Sequence, residues 1–330
     1  MKRIAINGFG RIGRAAFKIA LEHQDALEVV AINDLFDTKL LAYMLAYDSV
    51  YGKYQKKVEA KENALVVDGK EYKVFGEREP NKLPWKELNV DVVIESSGVF
   101  TKAEQMSLHI HAGAKQVMLS APSRDGKVTT HILGVTDLKN DDSPLKSSAS
   151  CTTNSITIPV KIMHNLFTVK KALLTTIHAY TADQNLVDGP HRDFRRGRTA
   201  GQNIVPTSTG AAIATTEVIP DLKNKFDGIA LRVPVSVGSI SDITMLVEKK
   251  TTAEEINSAF KKASELPQYK GILGVSEEPI VSSDIIGSTY SGIVDLTLTK
   301  VIDGDFIKIF SWYDNEWGYS NRLVEAVMAC

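Results

Sequence analysis

The run Lys2-Arg3-Ile4-Ala5-Ile6-Asn7 passes directly into Gly8-Phe9-Gly10-Arg11-Ile12-Gly13, and apolar residues then recur at Ile12, Ala15, Ala16, Ile19 and Ala20. An apolar run, a glycine cluster and helical spacing, in that order, specify a strand, a tight turn and a helix. Such a unit belongs to a parallel sheet with crossover helices. A second apolar strand, 27–33, leads to Asp34, 34 − 13 = 21 residues beyond the last glycine, close to the spacing of roughly 20 at which a carboxylate meets a ribose. Gly8 permits the turn, Gly10 lets the backbone approach a pyrophosphate, and Gly13 lets helix pack on strand. The N–H groups at Arg11 and Ile12 face the phosphates. Asp34 accepts from ribose hydroxyls and repels a 2′-phosphate, so the cofactor expected is NAD rather than NADP.

Residues 64–74 read as a hairpin through Asp68-Gly69, and 90–95 and 117–120 as buried strands. The latter two run into Ser96-Ser97-Gly98 and Ser120-Ala121-Pro122, at the carboxyl ends where an open α/β sheet binds its ligand. Near residue 150 the texture changes. Ile156, Val160, Met163 and Phe167 mark one face of a helix over 153–167, with Pro159 close enough to its start to be tolerated. Cys151 stands just ahead of it, where backbone N–H dipoles favour a thiolate, and His178, closing a strand over 172–177, is the candidate base. A cysteine nucleophile in a chain that binds a nicotinamide suggests aldehyde oxidation through a thioester. Residues 179–202 show no period and hold His191, Arg192, Arg195, Arg196 and Arg198; a long irregular segment in a compact domain is usually functional. Thr207-Ser208-Thr209-Gly210 offers a second helix N-terminus to an anion, and Arg232 follows Ile229-Ala230-Leu231, so there is material for two phosphate sites. Strands over 240–247, 292–299 and 306–312, a Thr252/Glu255 capping box and a terminal helix over 318–328 describe a sheet with helices against one face.

The length of 330 residues suits two domains, and 39 Lys plus Arg against 40 Asp plus Glu leave no overall footprint for nucleic acid or an anionic membrane. No apolar run reaches the roughly 18 residues of a membrane span and no apolar signal region opens the chain, so a cytoplasmic location is expected. Cys151 and Cys330 form no C-x-x-C pair, which argues against a disulfide scaffold and a thiolate zinc site. His109 and His111 diverge at i, i+2 on a helix, and no metal is expected.

Asn7 to Arg14, Ala149-Ser150-Cys151-Thr152-Thr153-Asn154, His178-Ala179-Tyr180-Thr181, Asn203 to Pro206 with Ser208 to Ala212, and Ser311 to Ser320 closely resemble the phosphorylating, NAD-using glyceraldehyde-3-phosphate dehydrogenases of glycolysis, over essentially the whole chain. The resemblance implies a doubly wound Rossmann domain over 1–150, with the helix of about 316–330 packing back on it, and an α+β catalytic domain over 151–315 whose sheet is mostly antiparallel. It implies that Cys151 forms a hemithioacetal and then a thioester, with His178 as base, and that inorganic phosphate releases the acyl group. Thr181, Arg232 and Asp183 then hold the substrate's phosphate; Ser150, Thr152, Arg198, Thr209 and Gly210 hold the attacking one. Gly8, Gly10, Arg11, Ile12, Asp34, Arg78, Ser97, Ser120, Asn315 and Tyr319 are implied NAD contacts, Pro190 fits the NAD type, and a homotetramer is implied with loop 179–202 packed at its centre. Ser155 stands where many members carry a second cysteine, and Ile213 to Thr216 replace a stretch that commonly contains lysine. The rival readings are an erythrose-4-phosphate dehydrogenase, which delivers the acyl group to water, and a noncatalytic nucleotide- or RNA-binding protein.

Overall fold

The computed structural model describes all 330 residues, which form two compact units: 1–131 with 137–149 and 320–330, and 132–136 with 150–319.

In the first unit Lys2–Asn7 is a strand whose Ile4, Ala5 and Ile6 are wholly buried, as a strand covered on both faces requires. It lies within a nine-stranded sheet ordered Thr129–Thr130, Leu145–Ser147, Gln116–Leu119, Val92–Glu95, Lys2–Asn7, Leu27–Asn33, Lys70–Phe75, Ala64–Val67, Val58–Lys61. Pairing is parallel as far as Lys70–Phe75 and antiparallel beyond it. The chain leaves Lys2–Asn7 for Leu27–Asn33 on one side and returns to Val92–Glu95 on the other, with Asn7 level with Asn33 and with Glu95. That reversal opens a crevice at the carboxyl ends of the strands. The helix Arg11–Ala20 buries Ala15, Ala16, Phe17, Ile19 and Ala20, with Phe17 edge-on to Phe9 and Tyr72. The glycine turn is sterically obligatory: Gly8 has φ +91° and a Cβ there would come within 2.5 Å of the Ser97 backbone, while one at Gly13 would lie 2.0 Å from the Gly8 carbonyl oxygen. At the other end of the chain, Lys2 Nζ donates to the carbonyls of Val327 and Met328 at 3.2 and 2.9 Å, satisfying the last turn of a helix with a cation.

The second unit is an eight-stranded sheet with the path Val205–Ser208, Phe226–Val233, Val169–Ala179, Ser239–Val247, Phe306–Tyr313, Gly292–Asp295, Leu273–Ser276, and Lys300–Ile302 beside Phe306–Tyr313. Only the pairs 169–179 with 226–233 and 273–276 with 292–295 are parallel. Ser239–Val247 alternates buried and half-buried residues, and its Ile243 and Met245 pack with Ile307 and Ile309 against Ile156, Val160 and Met163 of the helix Cys151–Phe167 and Phe260 of Ala253–Ser264. The second helix opens on the expected Thr252/Glu255 capping box.

Three local expectations change. Cys151 is the first residue of its helix rather than a residue ahead of it. Pro159 is therefore interior, and its missing N–H leaves the Ser155 carbonyl without its i+4 donor; Ser311 Oγ donates to that carbonyl at 3.1 Å instead. The strand expected over 292–299 stops at Asp295, whose carboxylate accepts from Thr297 N and Oγ1 and turns the chain into the 3-10 segment Leu296–Leu298.

Candidate active site

Ser150 caps the helix, its Oγ accepting from Thr153 N at 3.1 Å, and this seats Cys151 at the first helical position. Cys151 Sγ lies 3.4 Å from His178 Nε2. His178 is the penultimate residue of the strand Val169–Ala179 and, by parallel register, the partner of Arg232. Its Nδ1 is 2.6 Å from the Ala179 carbonyl oxygen and 2.7 Å from Arg232 Nη1, which also donates to that carbonyl at 3.1 Å. The carbonyl only accepts and the guanidinium only donates, so the two favour opposite tautomers; the one with its hydrogen on Nδ1 presents the Nε2 lone pair to sulfur. Burial, helped by the Arg232 charge, pulls the imidazole down to about 3. For Cys151, burial is the largest influence and pushes the thiol up, against the Arg232 charge and the hydrogen bonds at the helix start. The help expected at the helix start is thus present but opposed, and the burial that raises the thiol also weakens the imidazole in reach of it as a base. Tyr313, fully buried, brackets the pair: its OH lies 2.9 Å from Thr152 Oγ1 and 2.8 Å from Thr176 Oγ1, with its ring edge-on to His178.

The cationic side chains divide. Arg232 is half-buried, and its buried Nε has no protein partner. Arg196 is anchored through Nε to Thr207 Oγ1 at 2.9 Å, through Nη1 to Asp183 Oδ2 at 2.5 Å and through Nη2 to the Ser208 carbonyl at 3.2 Å. Its charge reaches both Arg232 and His178, lowering each. Thr209 Oγ1 accepts from Ala211 N, and Gly210 caps the helix Ala211–Val218 with no side-chain cap. Arg198, expected in this group, is not brought to it: its Nε pairs with Asp188 at 2.9 Å and its side chain is 64% exposed. Asp183 is occupied by Arg196 and lies 3.6 Å from His191 Nε2, so it serves to hold a cation. Thr181 is half-buried where the loop begins. That loop is neither helix nor strand, yet it is tied by backbone bonds from Asn185 N to Arg196 O, Gly189 N to Gly197 O and Ala200 N to Asn185 O.

In the first unit, Asp34 Oδ2 accepts from Phe9 N at 2.7 Å, joining the acid to the glycine turn. Arg11 pairs with Asp48 at 3.0 and 3.3 Å and lies over the Tyr51 ring. Ser97 donates through N and Oγ to Glu95 Oε1; Ser120 continues the strand Gln116–Leu119, its N bonded to the Glu95 carbonyl; Ile12 is half-buried and Arg78 exposed. In the second unit Asn315 Oδ1 accepts from Gly238 N and Ser239 Oγ, which leaves its Nδ2 hydrogens for a ligand, and Tyr319 is buried.

Residues 2–103 match the model of the glyceraldehyde 3-phosphate dehydrogenase NAD binding domain, and residues 150–315 that of the glyceraldehyde 3-phosphate dehydrogenase C-terminal domain. The chain is 55% identical to glyceraldehyde-3-phosphate dehydrogenase of Thermotoga maritima over 99% of its own length and 98% of the relative's. It is 53% identical to that of Borreliella burgdorferi, over 98% of both chains, and 48% identical to that of Geobacillus stearothermophilus, over 98% and 96%. The chain belongs to the glyceraldehyde-3-phosphate dehydrogenase family.

Membership makes the chain an NAD-dependent oxidoreductase with a Rossmann-type cofactor domain. The first unit fits NAD on its own geometry. The helix Arg11–Ala20 starts with no side-chain cap and no acid in its first turn, leaving N–H groups for a pyrophosphate, and a Cβ at Gly10 would meet nothing within 4 Å, so glycine there keeps a lane open rather than relieving a clash. Sequence reasoning in glyceraldehyde-3-phosphate dehydrogenase terms passed over Arg196, treated with its loop neighbours, and Asp48. Nothing in the spacing pointed to either: Arg196 is singled out by Asp183 and Thr207, and Asp48 by Arg11.

Proposed function

We propose that the chain oxidises D-glyceraldehyde 3-phosphate with NAD and inorganic phosphate to 1,3-bisphosphoglycerate, the oxidative phosphorylation step of glycolysis. The observation that carries this reading is Cys151 Sγ 3.4 Å from His178 Nε2, on a ring that burial disfavours as a cation, in a chain of this family. Sulfur adds to the aldehyde carbon while its proton passes to Nε2 and on to the new oxyanion, giving a hemithioacetal. Nε2 then takes the hydroxyl proton as the carbon loses hydride and a thioester forms. NAD supplies the hydride acceptor. Phosphate attacks the thioester carbon, the Cys151 thiolate leaves with the acyl phosphate released, and the imidazolium returns a proton to sulfur. One proton is released to solvent overall.

In this reading Arg232, with its unpartnered Nε, and Thr181 hold the substrate's phosphate. Ser150, Thr152, Thr209 and Gly210 serve the attacking phosphate, with Arg196 in the place expected of Arg198. Asn315 offers Nδ2 to the carboxamide of NAD. We further propose a homotetramer. In support, the loop exposes Leu186, Val187 and Phe194 at 80%, 70% and 89%, and the sheet face away from the helices exposes Leu173 and Ile229, more apolar surface than an isolated chain ordinarily carries. No helix is long and apolar enough to cross a membrane, and a cytoplasmic location is part of the same proposal.

The deciding experiment supplies glyceraldehyde 3-phosphate, NAD and phosphate to the purified chain and follows reduced cofactor. Sustained turnover that collapses when phosphate is withheld supports the reading. Undiminished turnover without phosphate points to hydrolysis, with erythrose 4-phosphate as the next substrate to try; no turnover together with tight RNA binding overturns the enzymatic reading. Light scattering of the same sample tests the tetramer.

A further inference from the structure

Beneath the glycine turn lies a connected set of buried polar side chains that the reaction does not use. Trp85, Glu95 and His109 have no exposed surface and Asn7 almost none. The Trp85 indole N–H, which only donates, bonds His109 Nδ1 at 2.9 Å. The imidazole hydrogen therefore sits on Nε2, which donates to Glu95 Oε2 at 3.0 Å. Asn7 Nδ2 donates to the same oxygen at 2.5 Å, and Asn7 Oδ1 accepts from Asn33 Nδ2 at 2.7 Å. The other carboxylate oxygen takes both the N–H and the Oγ–H of Ser97, at 2.9 and 2.5 Å.

Stability alone does not call for this arrangement, because burying a carboxylate and an imidazole is costly and apolar side chains of similar volume serve a core at least as well. The placement of its ends suggests another purpose. Asn7 immediately precedes Gly8, Asn33 precedes Asp34, and Ser97 is the backbone against which Gly8 sits too closely for a Cβ. The glycine turn, the ribose-binding acid and the Ser97 wall thus all hang from one network, whose outer brace is an imidazole held in a single tautomer by an indole.

We propose that His109, oriented by Trp85, is a positioning residue for NAD: through Glu95 it holds Ser97 and the glycine turn in the cofactor-accepting shape before NAD arrives. Affinity is then gained by preorganisation rather than by contact. This rests on the first unit's cradle being the NAD site, and it names the device that shapes it.

The test is direct NAD binding by equilibrium dialysis on the full chain, with kinetics beside it. In His109→Leu, which deletes both bonds, the Kd and KM for NAD rise about tenfold or more, while kcat at saturating NAD, the KM for aldehyde and the rate of Cys151 alkylation stay within about twofold. His109→Gln, whose amide keeps one acceptor and one donor, regains most of the affinity. A folded His109→Leu with parental NAD affinity overturns the proposal. So does a loss spread equally over kcat, both KM values and alkylation, or a His109→Gln that regains nothing. Should His109→Leu fail to fold, Trp85→Phe decides: it leaves Nδ1 without a donor and frees the tautomer, so a rise of about threefold in Kd supports the role, and an unchanged Kd overturns it. A parent chain that binds no NAD overturns the cradle assignment itself, and the role with it.

Discussion

Ser311 Oγ donates at 3.1 Å to the carbonyl of Ser155, the one oxygen in the helix Cys151–Phe167 that Pro159 cannot serve. The helix that presents Cys151 thus crosses a proline in its interior with its backbone accounting intact, because a strand side chain stands in for the missing N–H. Ser311→Ala leaves that buried carbonyl unsatisfied. It should cost about 1–3 kcal/mol, read from the midpoint of denaturant unfolding; an unchanged midpoint refutes the account.

Removing the nucleophile and removing the base have different signatures. Cys151→Ala abolishes turnover, whereas His178→Asn lowers kcat by about 10²–10⁴ and slows alkylation of the remaining thiol by iodoacetamide. An alkylation rate equal to the parent's would show that the imbalance of protons is resolved by some group other than His178.

The Arg232 charge holds down the thiol that burial pushes up. Arg232→Gln therefore shifts the rise of Cys151 alkylation toward higher pH, besides weakening the aldehyde substrate through its phosphate. The profile over pH 5–10 measures the shift, and a move toward lower pH would reverse the sign argued here.

Two arginines separated by one glycine should behave unlike each other. Arg196→Gln removes a guanidinium fixed by Thr207, Asp183 and Ser208, and kcat/KM for phosphate should fall by about tenfold or more. Arg198→Gln removes an exposed pair with Asp188 and should stay within about threefold. Equal effects would return Arg198 to the site.

Asp48 offers a test that combines pH and cofactor binding. Burial pushes its carboxyl up, but the N–H groups of Val50 and Tyr51 and the Arg11 guanidinium outweigh this and leave it below the ordinary range. A carboxyl depressed in the folded state stabilises above its unfolded value and loses that contribution as pH falls through the folded one. Asp48→Asn should therefore cost about 1–2 kcal/mol at pH 7, with the difference from the parent shrinking below about pH 4. The KM for NAD should rise as well, since Arg11 loses its carboxylate. A stability gap that persists unchanged at pH 3 would count against the ionised form as its source.

The first unit was largely legible because most of its signals are local: Gly13 and Asp34 meet the Gly8 carbonyl and Phe9 N within one strand–turn–helix–strand unit, and Gly8, though set by the distant Ser97 backbone, stands in the same glycine run. Cys151 and His178 could be named for the same reason, each ending or starting an element with a recognisable pattern. What stayed hidden depends on register. Which arginine of the loop turns inward is decided by Asp183 and Thr207, which no periodicity places beside Arg196, and the true start of the helix at Cys151 follows from Ser150 as cap. Pro159 looked tolerable only near a helix end because Ser311, far along the chain, cannot be seen as its compensation. Residues 292–299 read as one strand since a carboxylate that bends the backbone by accepting from Thr297 has no signature in hydrophobic spacing.

The bond from Phe9 N to Asp34 ties the glycine turn to the very carboxylate that, on the proposed reading, would select the nucleotide. A lineage that traded this acid for a neutral or basic residue to accept a phosphorylated ribose would slacken the loop in the same stroke. Switching coenzyme along this scaffold is therefore an epistatic journey, in which a replacement tether for Phe9 has to appear before, or together with, the loss of Asp34.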